Sequence, residues 1–339
     1  MERPLRAGKL PLEILSQMLE RVEIRDPRVF LGPAAGEDAA LIDFGDRYLV
    51  AKTDPVTFAT DLIGWYVVQV NANDLAAMGA TPRWLMATLL LPEGTTGGEA
   101  QAIFDQILEA CEGLNVALVG GHTEITYGLP RPLVVGAMFG EVRKDRVVLT
   151  SGAQIGDAIV LTKGIAIEGT AILAREAKDR LRAAGVAADL IEKAKGMLFD
   201  PGISVVRDAA VACEAADVHA MHDPTEGGLA TALRELATAA GVGLTTDLRR
   251  LPVMDECRTI CEALELDPLG LIASGALLLT VSAADAAGVI EALRREGIPA
   301  YEIGRVTPPE GGLRLRTEEG STALPSFERD ELARFLESE

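Results

Sequence analysis

Three aspartates raise the question of what chemistry this sequence could support. Asp38 sits in Gly36-Glu37-Asp38-Ala39-Ala40, at the entry to a predicted strand. Asp54 follows Lys52-Thr53 at the end of the next strand and precedes Pro55. Asp74 lies inside an apolar helix, in Asn71-Ala72-Asn73-Asp74-Leu75-Ala76-Ala77-Met78-Gly79-Ala80. A buried carboxylate needs a cation or hydrogen-bond donors. Three of them at separate element ends could converge on Mg²⁺, which takes oxygen ligands and usually keeps waters and phosphate oxygens. Taken singly, Asp38 and Asp54 also read as turn or cap residues. Asp74 is harder to read that way, because helix interiors disfavour Asp and Asn without local bonding.

Two glycine pairs are the next candidates. Gly120-Gly121-His122-Thr123 follows a strand, where backbone N–H groups can cradle a phosphate. Asp223-Pro224-Thr225-Glu226-Gly227-Gly228 runs straight into a helix, and helix N-termini bind anions through free N–H groups. Capping by Asp223 or Thr225 explains the same residues without a ligand. Neither G-x-x-x-x-G-K-[ST] nor G-x-G-x-x-G occurs, so a P-loop or a Rossmann site is not expected. Cys257 and Cys261, at helical spacing, read as small core residues. With three His in the chain a zinc site is not expected.

The elements that must carry these residues alternate between helix and strand. A helix over 10–25 is followed by strands at 39–44 and 48–52, a helix over 61–78 and a strand at 84–91. A helix over 98–111 and strands at 116–119 and 133–142 follow. A polar turn, Ser151-Gly152-Ala153-Gln154-Ile155-Gly156-Asp157, marks a boundary. Beyond it come a strand at 158–162, a long helix over 168–184, further helix within 188–216 and a strand at 218–221. The rest reads as helix 229–240, strand 243–247, helix 255–264, strand 276–282, helix 283–296, strand 300–306, a hairpin near 313–317 and a closing helix over 327–337. The expectation is two α/β (α+β) domains, residues 1–150 and 151–339.

With 51 Asp and Glu against 32 Lys and Arg, a net charge of −19 argues against a nucleic-acid partner. No apolar run is long enough to span a membrane, and the N-terminus shows no signal core. Reduced thiols in a cytoplasmic protein are expected.

Taken in order, Gly36-Glu37-Asp38-Ala39-Ala40, Thr53-Asp54, Asn73 to Ala80, Gly120-Gly121-His122-Thr123 and Asp223 to Ala230 resemble the AIR synthetase-related (PurM-like) ATP-binding superfamily over about residues 8–318. The resemblance implies two α/β domains, with N-terminal sheets pairing across a homodimer into a barrel. It implies ATP and Mg²⁺ as cofactors, with Asp38, Asp54 and Asp74 on metal and Asn73, Gly120, Gly121 and Thr123 on the nucleotide. Asp223, Thr225, Gly227 and Gly228 would face the same cleft. Lys52, Lys163 or His122 would neutralise developing phosphate charge. Within the superfamily the chain looks HypE-like, through Asp223 to Ala230, Asp267-Pro268-Leu269 and Gly275-x-Leu277.

HypE proteins use ATP to dehydrate a thiocarboxamide on their own C-terminal Cys, whereas the last Cys here is Cys261. Ser274 stands where a Glu is usual, Glu226 where Arg is common, and His122 where Asp is common. The expected function is ATP-dependent phosphoryl transfer to an amide-like oxygen, on a small-molecule or protein-borne acceptor, with a maturation partner protein. Two other readings stand beside it. One is a small-metabolite kinase or AIR synthetase-like ligase. The other is an ATP-responsive assembly protein with little turnover.

Overall fold

The computed structural model describes residues 10, 12–34, 36–57 and 61–337. The N-terminal stretch to Lys9, read above for a signal core, lies outside them. Contacts divide the chain into two units. The first comprises Ile24–Pro33 and Asp38–Val147. The second takes Val148 onward, the described residues up to Glu23 and the short run before Asp38. That run goes with the second unit for a local reason. The Glu37 carboxylate accepts the Thr150 and Ser151 amides at 3.1 and 3.2 Å.

After α1 (Leu12–Leu19), the first unit contains β1 (Val29–Leu31), β2 (Ala40–Asp43), β3 (Arg47–Val56), α2 (Ile63–Ala77), β4 (Thr81–Pro92), α3 (Gly97–Gly113), β5 (Ala117–Thr126) and β6 (Leu133–Arg143). The strands form one sheet in the order β1-β2-β3-β6-β4-β5, antiparallel except for β4 with β5. Helix α2 is apolar around most of its circumference, and its buried residues run from Ile63 to Ala77 with few gaps. Such a helix must be covered on several sides. It packs on β3, β6 and β4, with α3 beside it. A capping box starts α3, in which Thr96 Oγ1 accepts the Glu99 amide and Glu99 accepts the Thr96 amide.

Strand alternation gives this sheet two unlike faces. Val50 on β3, Leu85 and Leu89 on β4, and Val134 and Met138 on β6 are buried. The opposite face carries Trp84 and Met86, which are exposed, and Leu49, Leu90, Val135 and Phe139, which are half-buried.

The second unit is built from β7 (Ala158–Thr162), α4 (Ile167–Glu176), α5 (Lys178–Ala183), α6 (Ala188–Gly196), α7 (Val206–Ala215), β8 (Val218–His222), α8 (Gly228–Ala240), β9 (Gly243–Asp247), α9 (Asp255–Leu264), β10 (Leu278–Val281), α10 (Ala286–Arg295), β11 (Ala300–Thr307), β12 (Leu313–Thr317), β13 (Gly320–Ala323) and α11 (Glu331–Glu337). Its sheet runs β13-β12-β9-β11-β7-β10-β8, with β12 and β9 the parallel pair. Every residue of β7 and β10 is buried, as central strands require. The helix expected over 168–184 is two helices, broken at Ala177.

Candidate functional site

Strand β3 and helix α2 bring the first chemistry together. Lys52 and Asp54 are two residues apart on β3, so both side chains leave the same face. That face is the one covered by α2, which carries Asp74. The Lys52 ammonium lies 3.2 Å from Asp74 Oδ1 and 3.6 Å from Asp54 Oδ2. Asp74 is almost wholly buried, while Asp54 keeps about a third of its side chain in contact with solvent. One cation therefore bridges a buried and an accessible carboxylate.

Asn71 fixes the geometry. Its Oδ1 accepts the Asp54 amide at 2.9 Å, and its Nδ2 donates to the Asp54 and Val67 carbonyls at 3.3 and 2.8 Å. A fully buried Asn in an apolar helix is thereby satisfied. Gly136 on β6 makes room for it, since a Cβ there would sit 2.6 Å from Asn71 Nδ2. The sequence marked Asn71 as unusual for its helix without showing that it rivets the helix to β3.

Asp38 is buried, two residues before the Ala40–Ala51 pair of β2 and β3. Asp54 lies three residues beyond Ala51, so both acids belong to the same end of this strand pair. Asn73 is fully buried in α2 beside Asp74. The donors of Asp38, Asp54 and Asp74 are all carboxylate oxygens, the hard set that Mg²⁺ prefers. The ammonium held by Asp54 and Asp74 demonstrates their demand for positive charge. Asp54 and Asp74 are thus an oxygen pair of the kind that suits such an ion.

The glycine pair of β5 is not a loop. The strand continues through Gly120, Gly121, His122 and Thr123 to Thr126, paired in parallel with β4. A Cβ on Gly121 would lie 1.9 Å from the Ala87 carbonyl oxygen, so only glycine allows this pairing. Thr123 pairs with buried Leu89 and belongs to the face of Lys52 and Asp54. His122 pairs with Thr88, on the opposite face. The structure thus does not gather His122 with Lys52, Asp54 and Asp74. Its Nε2 lies 3.1 Å from Glu124 Oε2, and that contact, with Thr126, holds the Glu124 carboxyl below its ordinary value. Strand β5 is three positions from β3 in the sheet, about 14 Å at the usual strand spacing.

In the second unit, Lys163 follows β7 at positive φ and is buried. Its ammonium donates to the Ser204 carbonyl at 2.6 Å and lies 3.3 Å from Asp208 Oδ1. Thr162 Oγ1 donates to the same Asp208 oxygen at 2.6 Å. Burial pulls the Lys163 ammonium below its ordinary value, against the attraction of Asp208. This charge is engaged inside the unit.

The loop from Asp223 to Gly228 is also internally tied. Gly227 and Gly228 both take positive φ, and a Cβ on Gly228 would meet the Leu269 carbonyl oxygen at 2.5 Å. The Gly228 amide donates to the Thr225 carbonyl at 3.0 Å, and the Ala230 amide to the Leu269 carbonyl at 3.0 Å. The Gly227 amide donates to Asp330 Oδ2 at 2.6 Å. Asp223 is buried, and its neighbour His222 places Nε2 2.9 Å from Glu235 Oε2. Two groups near this loop escaped the sequence reading, Glu168 at the start of α4 and Asp330 before α11. No local motif marks either.

Known proteins share this architecture over most of its length. Residues 36–142 match the N-terminal domain of AIR synthase related proteins, and residues 154–316 match the C-terminal domain. A Methanocaldococcus jannaschii protein, provisionally named a hydrogenase expression/formation protein, is 31% identical over 321 residues, 91% of each chain. Carbamoyl dehydratase HypE of Rhodobacter capsulatus is 30% identical over 318 residues, 92% of this chain and 89% of the relative. The crystal structure of hydrogenase maturation protein HypE in complex with ATP superposes with TM-score 0.73 at 24% identity, covering 96% of this chain and 97% of that one. A chain of the crystal structure of a HypE–HypF complex gives TM-score 0.75 at 22% identity, covering 94% of this chain and 100% of that one. With both domains matched and relatives aligned nearly end to end, the chain belongs to the AIR synthase-related family of PurM-like fold, among its HypE-like members.

Proposed function

We propose that this chain binds ATP with Mg²⁺ and activates an amide-like oxygen by phosphoryl transfer, in the manner of a HypE-like maturation enzyme. The observation that carries the reading is the Lys52 ammonium held between Asp54 and Asp74. It is an oxygen site in which one buried and one accessible carboxylate share a single ammonium. Asp38, Asp54 and Asp74 would hold the metal, which supplies neutralisation of phosphate charge when bound. Lys52 adds a positive charge beside the accessible carboxylate, where a transferring phosphoryl group gains negative charge. Asn71 keeps Asp54 in place during that exchange. Asn73, Gly120, Gly121 and Thr123 are the proposed nucleotide contacts, and a ligand as long as a nucleoside triphosphate suits their spread along the sheet. Thr225, Gly227, Gly228 and Asp223 are proposed as ligand contacts of the second unit.

The acceptor is proposed to be a small molecule or a group borne by another protein. Among the described residues Cys111, Cys257 and Cys261 are buried and Cys213 is half-buried, so an accessible thiol of this chain is a poor candidate. A relative named carbamoyl dehydratase and the HypE–HypF complex support a maturation role with a partner protein. A homodimer joined through the open apolar face of the six-stranded sheet belongs to the same proposal.

Calorimetric titration with a non-hydrolysable ATP analogue and Mg²⁺ tests the reading. Saturable binding near one nucleotide per subunit is expected, and lost when Mg²⁺ is withheld. A folded sample that binds no nucleotide sinks it.

A further inference from the structure

The segment after β13 is fastened onto the second unit by one carboxyl group. Asp330 Oδ1 accepts the Leu332 amide at 2.7 Å, and Oδ2 accepts the Gly227 amide at 2.6 Å. The Ile272 amide reaches the same carboxyl. A single side chain therefore ties the start of α11 to the glycine loop and to the turn before Ser274. Around it the segment is docked closely. The Glu331 amide donates to the Gly270 carbonyl at 3.0 Å, and the Asp267 amide donates to Glu331 Oε2 at 3.0 Å. Phe327 lies against Gly270 so closely that a Cβ there would come within 2.5 Å of the ring.

Beneath this segment is a second carboxyl without a full set of partners. Glu168, in the first turn of α4, is 6% exposed. Ser274 hydrogen-bonds its carboxyl, but Glu168 Oε2 is buried and makes no hydrogen bond. Asp330 and Glu226 both act on it by repulsion, and Glu226 acts likewise on Asp330. The charged groups around Asp330 are Glu168 from α4, Glu226 from the glycine loop, Asp267 from the loop after α9, and Glu331, Arg329 and Arg334 from its own segment. The two arginines are paired with Glu337 and Glu331.

We propose that the C-terminal segment is a latch: Asp330 closes it over the glycine loop and the buried Glu168 carboxyl, and negative charge on those two groups releases it. The inference does not depend on which ligand the loop serves. Burial and the neighbouring carboxylates push Glu168 up to about 7 and Asp330 up to about 6. A carboxyl whose value is raised in the closed state holds its proton there. The closed state is favoured below these values and loses that advantage as pH rises through them. The latch is therefore closed most firmly in acid and loosens as pH rises from about 4, the ordinary carboxyl value, to about 7. Opening frees the Gly227 amide, a donor at the N-terminus of α8, for an outside acceptor.

Hydrogen–deuterium exchange of the whole protein, corrected for intrinsic rates, tests the latch. Protection of residues 324–337 and of Gly227 is expected to fall by at least about tenfold from pH 5 to 7, while β7 and β10 stay protected. In Asp330→Asn, which keeps an acceptor oxygen but cannot ionise, and in Glu168→Gln, that fall is expected to shrink by the share of the group removed, and in the double variant to less than about threefold. Protection that is independent of pH in the parent protein overturns the proposal. So does a pH-dependent loss that persists unchanged in both variants.

Discussion

At the residue scale, the proposed site rests on Lys52 placed between Asp54 and Asp74. An ammonium between two carboxylates can yield its place on one of them to a divalent cation and remain paired to the other. Asp74→Asn removes the buried charge and keeps the shape. Mg²⁺-dependent nucleotide binding is expected to weaken by at least about 10–100-fold, the loss seen even when only a supporting group of a metal ligand is changed. The melting temperature should move little, because Lys52 retains Asp54. Unchanged affinity in calorimetry would remove Asp74 from the site. The sequence flagged Asp74 through its burial among apolar residues. The resemblance named Lys52 as a candidate, but the residues alone could not place it between the two acids, because a lysine at a strand end reads as a solvated charge until α2 is packed over β3.

At the scale of elements, Lys163 makes the contrast. Its type and its place after a strand suit a phosphate partner, yet it holds the 202–204 backbone and Asp208 from inside the unit. Lys163→Met leaves Asp208 buried without its cation, and breaking a buried pair in this way costs about 3–5 kcal/mol. A clear fall in the unfolding midpoint is expected, with nucleotide affinity of the folded protein preserved. A stable variant that loses only turnover would return Lys163 to the chemistry. The same scale explains where element reading succeeded. Thr96 and Glu99 announce the start of α3 by spacing alone. The Gly120-Gly121 pair reads as a turn because glycine usually punctuates strands. Here it extends β5, because the β4 backbone approaches too closely for any side chain. The break at Ala177 has no local signal, since alanine is the best helix former.

At the scale of the whole molecule, one face of the first unit's sheet is open among the described residues, and we propose that it takes a partner. Trp84 and Met86 are 36% and 45% exposed on a face where Phe139, Leu90 and Val135 are only half-covered. Contiguous apolar surface of this kind marks an interaction site. A homodimer across this face is expected in sedimentation, and Trp84→Glu should shift it to monomer, since an unpaired charge at an apolar contact is costly. A parent protein that sediments as a monomer at micromolar concentration would refute the dimer. The family and two-domain fold were legible because five short motifs keep their order along the chain. The acceptor was not, because no contiguous segment encodes it.

The rivet made by Asn71 has a consequence for how the protein meets its ligand. The groups proposed to surround one ion come from β3 and α2, and in a floppy chain assembling them would oppose binding. Here Asn71 holds the Asp54 backbone against α2 before anything arrives. The ordering entropy is charged to folding, so the site is preorganised and binding need not supply it.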